Sequence, residues 1–162
     1  LQPDDTLYDP MLDTARQREV EKRVAPLTLE AMLFSGYDDQ VVPVRDGLEV
    51  VFRTVSTQHH MWMERMLGDV RDVPIHFGRH WFSILQVAVS LQRVNESDMP
   101  GDLSQFTKEE HMDAFRKAVL ERVEFMGRWP SIITDDLIVH YTWFCGRVRK
   151  MLQGNLTRKL GN

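Results

Sequence analysis

The chain lacks several features that mark common functional classes. Its single cysteine, Cys145, cannot form an internal disulfide, and this predicts a reducing compartment. Its nine glycines stand singly, so a glycine-rich phosphate loop is absent. The most apolar stretch, 76–94, is interrupted by Arg79, His80 and Gln92, and no apolar run reaches the roughly 18 residues of a membrane span. These absences argue against a disulfide-stapled domain, a nucleotide-binding loop and a membrane-spanning helix.

An excess of basic residues is also absent. Lysine and arginine number 20 against 24 aspartate and glutamate residues, which gives a net charge of −4. Nucleic-acid-binding domains usually carry a basic surface, so the balance predicts no nucleic-acid partner. The N-terminus opens with Asp4 and Asp5 rather than a basic region, which predicts no secretory signal. With 162 residues, 43% of them apolar, the chain is long enough for one globular domain.

The best-defined local structure is a β-hairpin over 40–55. Asp46-Gly47 lies between two β-rich runs and supplies the positive φ angles that a tight turn requires. Pro43 cannot donate to a strand ladder, so the first strand is predicted to lie at a sheet edge or to be bulged there. A hairpin is marginally stable alone, so it must pack on the following helices or on another chain.

Helical patterns fill most of the remaining chain. We predict helices over 28–35, 58–67, 77–94 and 107–126, and a last one that starts near Ser131 or Thr134 and continues to 153. Gly36, Gly68, Gly127 and Gly154 mark helix ends. The first of these helices is expected to be buried, because its apolar residues cover most of its circumference. Ser56 or Thr57 should cap the second, and a capping box of Thr107 and Glu110 should open the fourth.

Three segments follow from these patterns. Residues 1–27 are predicted to form an extended arm and a charged helix whose stripe includes Val20 and Val24, and residues 155–162 a polar tail. Residues 28–154 are predicted to form a single globular domain. The predicted fold class is α+β and mostly helical, with one small β-hairpin followed by a bundle of about four helices.

The candidates for chemistry are each better explained by structure. His76 and His80 have the i, i+4 spacing of a zinc pair, but no third ligand is evident. Cys145 and His140 lie about 140° apart on one predicted helix, so they do not meet as nucleophile and base. Asp135 and Asp136 are expected in the first turn of the last helix, where carboxylates favour the helix dipole. We therefore predict no enzyme, no metal, no cofactor and no small-molecule substrate.

The hairpin and the helix after it carry a family resemblance. The run Val51-Phe52-Arg53-Thr54-Val55-Ser56 resembles the strand that opens tail and baseplate assembly proteins of tailed bacteriophages, including tail assembly chaperones and T4-type baseplate hub assembly proteins. The resemblance implies a viral structural or assembly protein that acts through protein contacts in the host cytoplasm and is in some cases retained in the virion tail. The implied partners are other tail or baseplate proteins and copies of this chain.

Partner contacts are expected at the charged helix, at the hairpin and at the helix after it, where Met61-Trp62-Met63 places apolar side chains in successive directions. Either residues 1–24 or the 40–54 hairpin should be ordered by another chain. Two alternatives stay open, a helical adaptor or regulatory module without a tail role and a small enzyme that uses His76 and His80. The candidate partner-binding residues are Val20, Val24, Val42, Val44, Val51, Arg53 and Trp62.

Overall fold

The structure, a computed structural model, describes residues 28–34, 36–68 and 75–160. It confirms a mostly helical α+β fold, in which an antiparallel four-stranded sheet packs against helices. The predicted arm, the charged helix and their candidate residues Val20 and Val24 lie outside the described residues.

The first described element is a short helix, α1, over Leu29–Phe34. Gly36 follows it with a φ of 77°, in the left-handed conformation predicted for a helix stop. The expected burial of this helix is wrong at Leu33, whose side chain is 69% exposed. An apolar circumference does not ensure burial, because neighbouring elements need not cover every side of a short helix.

The predicted hairpin is present as β1, Asp39–Arg45, and β2, Leu48–Arg53. Gly47 in its turn has a φ of 77°, which the Asp-Gly pair predicts. Among the described residues β1 is an edge strand, and its register with β2 shifts between Pro43 and Arg45, so the structure has both features expected from Pro43. Alternate residues of the two strands point into the core, and Val42, Val44, Val50 and Phe52 are fully buried.

Helix α2 covers Thr57–Gly68. The hydroxyl of Ser56 accepts a hydrogen bond from the backbone N–H of His59 at 3.2 Å, which confirms Ser56 as the cap. Helix α3 covers Ile75–Ser90 and ends four residues before the predicted position. Leu91–Val94 instead form strand β3, which pairs with β2, and Ser97–Asp98 form strand β4 in a segment predicted to be a loop.

Tertiary contacts explain why α3 ends at Ser90. The Ser90 hydroxyl donates to the carbonyl of Arg53 at 2.7 Å, and the Gln92 side-chain amide donates to the carbonyls of Val89 and Ser90. Leu91 then lies opposite Phe52 in the sheet. Leu91–Val94, which were predicted to form the last helical turn, therefore pair with β2 instead.

The predicted capping box at Thr107 and Glu110 is wrong. A short 3₁₀ helix covers Glu109–His111, and α4 begins after it and covers Met112–Met126. The Nδ1 atom of His111 accepts hydrogen bonds from the N–H groups of Thr107 and Lys108, each at 3.3 Å. A histidine ring thus satisfies the free donors that the sequence assigns to a glutamate.

The last helix, α5, covers Ser131–Leu160 and continues through Gly154, so the predicted helix end at 153 is wrong. The ring of Phe52 in β2 packs on the rings of Tyr141 and Phe144 at 5.7 and 5.8 Å, which fixes the sheet against α5. Arg45 at the end of β1 pairs with Asp136 on the same helix. The hairpin is therefore held by helices of its own chain.

One apolar core joins the sheet to helices α2, α3, α4 and α5. No helix in the described part of the chain is long and apolar enough to cross a membrane. The helix stripes supply much of the core. Its fully buried members include Met63, Leu85, Val87, Ala88, Leu91, Phe115, Val119, Leu137 and Phe144.

Candidate protein-binding surface

The predicted partner-binding residues separate into two groups in the structure. Val42, Val44 and Trp62 are at most 2% exposed and belong to the core of this chain. Their side chains lie where a partner cannot touch them without opening the core. Val51 and Arg53 lie on the opposite face of the sheet and are partly exposed. Sequence alternation places neighbouring valines on opposite faces, and packing on α5 selects the face that is buried.

The outer surface of the sheet, which we call the open sheet face, is formed by Val41, Val51, Arg53 and Arg93. Val41 is 40% exposed and pairs across the strands with Val51, which in turn pairs with Arg93. Charged residues thus flank a small apolar row. An antiparallel sheet commonly has one face on the core and one towards solvent, and partners can reach this second face.

Arg53 occupies the border between the open sheet face and a neighbouring cleft. Its guanidinium donates two hydrogen bonds to the carboxylate of Asp39, at 2.7 and 2.8 Å, and lies 3.9 Å from the ring centre of Tyr37. The hydrogen bond to Asp39 raises the pKa of Arg53 above its ordinary value. This bidentate geometry holds Arg53 in one orientation, so it forms a fixed wall rather than a mobile surface charge.

The cleft beside it, which we call the Arg53 cleft, has a volume of about 280 Å³. It lies between the end of β2, the start of α2 and the loop before α4. Most of the surface exposed in the cleft is apolar, although polar residues outnumber the aliphatic and aromatic side chains in its wall. Its lining includes Tyr37, Arg53, Val55, Ser56, Gln58, His59, Val89, Gln92, Leu103, Ser104, Phe106 and Thr107.

His59 fixes one side of this cleft. Its Nε2 atom lies 2.7 Å from the carbonyl oxygen of Phe106, which can only accept, so Nε2 carries the proton. The imidazole packs on the rings of Trp62 and Phe115 at 5.5 and 4.6 Å. Burial lowers the pKa of His59 below its ordinary value, against a smaller opposing effect of the Phe106 carbonyl. The neutral ring therefore ties the cleft wall to the core.

A second cavity, of about 210 Å³, lies between α2 and α4 and is lined by Trp62, Arg65, Met66, Met112, Phe115 and Arg116. The carboxylate of Glu109 sits beside it, where it pairs with Arg65 and accepts a hydrogen bond from the indole N–H of Trp62 at 3.2 Å. The bond from Arg65, and then that from Trp62, lower the pKa of Glu109. Glu109 thereby satisfies the one polar atom of the otherwise buried Trp62.

The residues considered for chemistry are not assembled into a reactive site. Burial raises the pKa of the Cys145 thiol, which disfavours the thiolate needed for nucleophilic attack. The ring of His140 bonds through Nδ1 to the carbonyl of Asp136, at 2.7 Å. Because α5 starts at Ser131, Asp135 and Asp136 lie beyond its first turn, and their predicted position at the helix start is wrong.

The described residues do not form a cluster of metal ligands. These residues contain no group of three or more histidine, cysteine, aspartate or glutamate side chains that could hold an ion. His80 is exposed, and the side chain of His76 lies outside the described part of the structure.

The core contains a buried arginine that was not predicted from the sequence. Arg122 is 1% exposed and donates hydrogen bonds to the carbonyls of Ala88, Leu91, Pro100 and Gly101, at 3.0, 2.7, 2.9 and 2.6 Å. Desolvation lowers its pKa to about 10, so it stays protonated at neutral pH. A signal was available, because Arg122 lies three residues after Val119 and four before Met126 on the apolar stripe of α4.

Comparisons of the chain with protein-family models, with curated proteins and with solved structures return no match.

Proposed function

We propose that this protein is a non-enzymatic structural or assembly protein of a bacteriophage tail or baseplate, and that it binds other tail proteins through the open sheet face and the Arg53 cleft. It would act in the host cytoplasm during assembly and could remain in the virion tail. The tail assignment rests on the resemblance of the 51–56 strand and the helix after it. The choice of surface rests on the geometry around Arg53.

One observation carries the choice of surface. Val41, at 40% exposure, and the partly exposed Val51 form an apolar row, and Arg53 joins this row to a cleft whose exposed surface is mostly apolar. Protein interfaces are centred on apolar or aromatic anchors that fill pockets, with a polar rim around them. Asp39, Arg53 and Arg93 would supply that rim. A cleft of this volume can accept one apolar side chain of a partner.

The proposal can be tested with whichever tail tube, tape measure and baseplate proteins are found to be encoded near the gene for this chain. Val41→Glu places a charge on the open sheet face, and Val139→Glu makes the same change at an exposed valine of α5. We expect Val41→Glu to weaken binding to at least one of these proteins by about tenfold or more, because a desolvated charge would have no partner. Binding can be measured by biolayer interferometry.

The control, Val139→Glu, should bind like the unmodified chain. Binding to none of the neighbouring tail proteins would remove the tail assignment. Equal binding by both glutamate variants would move the interface away from the open sheet face.

A further inference from the structure

We infer that β1 forms a two-fold symmetric, antiparallel pair with β1 of a second copy of this chain. The inference rests on the proposed function, since it uses the same surface, and it names a partner and a mode of contact.

Every second residue of β1 directs its backbone groups away from β2. The carbonyl of Asp38 accepts a hydrogen bond from Thr54, so Asp38 faces β2. Glu49, the partner of Pro43, directs its own N–H and carbonyl towards Asn95 on the other side. Because the direction alternates along an antiparallel strand, Asp39, Val41 and Pro43 face outward.

These outward groups have no strand beside them in the part of the chain that the structure describes, where β1 is the edge of the sheet. The N–H groups of Asp39 and Val41 and the carbonyls of Asp39, Val41 and Pro43 are available. Such a row recognises an extended backbone and favours strand addition.

The side chains of this edge fit a second copy of themselves. With the two-fold axis at Val41, the two Val41 residues face each other and exchange N–H to carbonyl bonds, and Asp39 donates to the carbonyl of Pro43 in the other copy. The apolar row Val41–Val51 then continues across the axis into the same row of the other copy. Asp39 lies opposite an uncharged proline and is already paired with Arg53, so no like charges oppose each other.

Pro43 limits the strength of this contact without preventing it. Its missing N–H leaves the Asp39 carbonyl of the other copy without a donor at each end of the pair. β1 has only seven residues, and we expect a contact through one strand of this length to bury less than the roughly 1,000 Å² of a stable interface. We therefore expect a weak, concentration-dependent dimer, to be sought up to about 1 mM protein.

The variant Val41→Pro tests the contribution of the Val41 backbone N–H, and Val41→Thr serves as its control. Val41→Pro removes the outward N–H at the axis and costs no bond to β2, and Pro43 already occupies the next outward position. Val41→Thr keeps the N–H and the branched side chain. In sedimentation velocity, we expect Val41→Pro to weaken self-association by about tenfold or more and Val41→Thr to change it by less than about threefold.

Amide exchange followed by nuclear magnetic resonance keeps the test decisive if Val41→Pro fails to fold. In the unmodified chain, the amides of Asp39 and Val41 should exchange more slowly as concentration rises, and those of Gln40 and Val42 should change little. A chain that stays monomeric with concentration-independent exchange overturns the inference, as does self-association that a folded Val41→Pro variant retains. A monomer that still binds tail proteins would leave the proposed function intact.

Discussion

Single side chains join helices, strands and loops through contacts that the local sequence does not predict. Arg122 connects α4 to the end of α3, the start of β3 and the loop at Pro100. It has no carboxylate within ion-pair distance among the described residues, and four carbonyl dipoles solvate its charge instead. A buried charge is tolerated only when its donors are satisfied, which is the case here.

Replacement of Arg122 should therefore be costly. We expect Arg122→Met to lower the free energy of unfolding by roughly 3–5 kcal/mol, because the buried carbonyls of Ala88 and Leu91 would lose their donor. Arg128→Met makes the same change at an exposed position, and should alter stability by less than about 0.5 kcal/mol. Urea unfolding measures both values, and similar losses for the two variants would contradict the structural role of Arg122.

His59 predicts a pH dependence of stability. Its pKa is lower in the folded chain than in the unfolded chain, so the unfolded state binds more protons in the window between the two values. The contribution of the neutral ring is complete above the unfolded pKa of about 6.5 and is lost as pH falls through the folded pKa. We expect the free energy of unfolding to fall less steeply from pH 7.5 to 5.5 in His59→Gln than in the unmodified chain.

The control for this pH dependence is His80→Gln, which changes an exposed histidine. Its stability should follow the pH dependence of the unmodified chain, and urea unfolding at each pH supplies the comparison. Parallel curves for His59→Gln and the unmodified chain would show that burial of His59 does not affect its protonation.

At the scale of single elements, local rules succeed where neighbouring residues carry the information. The Asp-Gly turn, the Ser56 cap and the Gly36 stop are each specified by a few adjacent residues, and all three are present. The capping box at Thr107 fails because His111 supplies a competing acceptor. The predicted end of α3 is wrong because Leu91 pairs with Phe52 of β2. Helical periodicity reflects only neighbouring residues and therefore does not indicate this long-range pairing.

Alanine substitutions at two glycines, Gly47 and Gly146, test whether backbone conformation at each position determines the effect on stability. Gly47 has a φ of 77°, so Gly47→Ala should lower the free energy of unfolding by about 1 kcal/mol or more. Gly146 lies within α5 with ordinary helical angles, and a methyl group there would meet no atom within 4 Å. Gly146→Ala should therefore raise the free energy of unfolding by roughly 0.5–1 kcal/mol.

Thermal unfolding of the two alanine variants can be compared directly, because the chemical change is identical. Opposite shifts of the melting temperature are expected. A rise for Gly47→Ala would contradict the left-handed turn, and a fall for Gly146→Ala would indicate that α5 carries a contact at that position which the structure does not contain.

At the scale of the whole molecule, the sheet and the helices form one unit. Phe52 from β2 packs between Tyr141 and Phe144 of α5, and Arg45 pairs with Asp136 on the same helix. The helices of its own chain therefore order the 40–54 hairpin, and residues 1–24 lie outside the described residues, so the expectation that another chain orders at least one of these two segments stays a prediction. In the part of the chain that the structure describes, the outer edge of the hairpin and the open sheet face lie outside the core, and the two proposals concern these surfaces.

The sequence by itself determined the fold class, the hairpin and most helix positions, because turn residues, caps and apolar periodicity act over a few neighbouring residues. Only the tertiary structure decided which hairpin valines are buried, where α3 ends and why Arg122 lies in the core. The contacts that fix these features join residues far apart in the chain, as in the bonds from Arg122 to Ala88 and Leu91. Their energies depend on burial and pairing, which exist only after the elements have packed together.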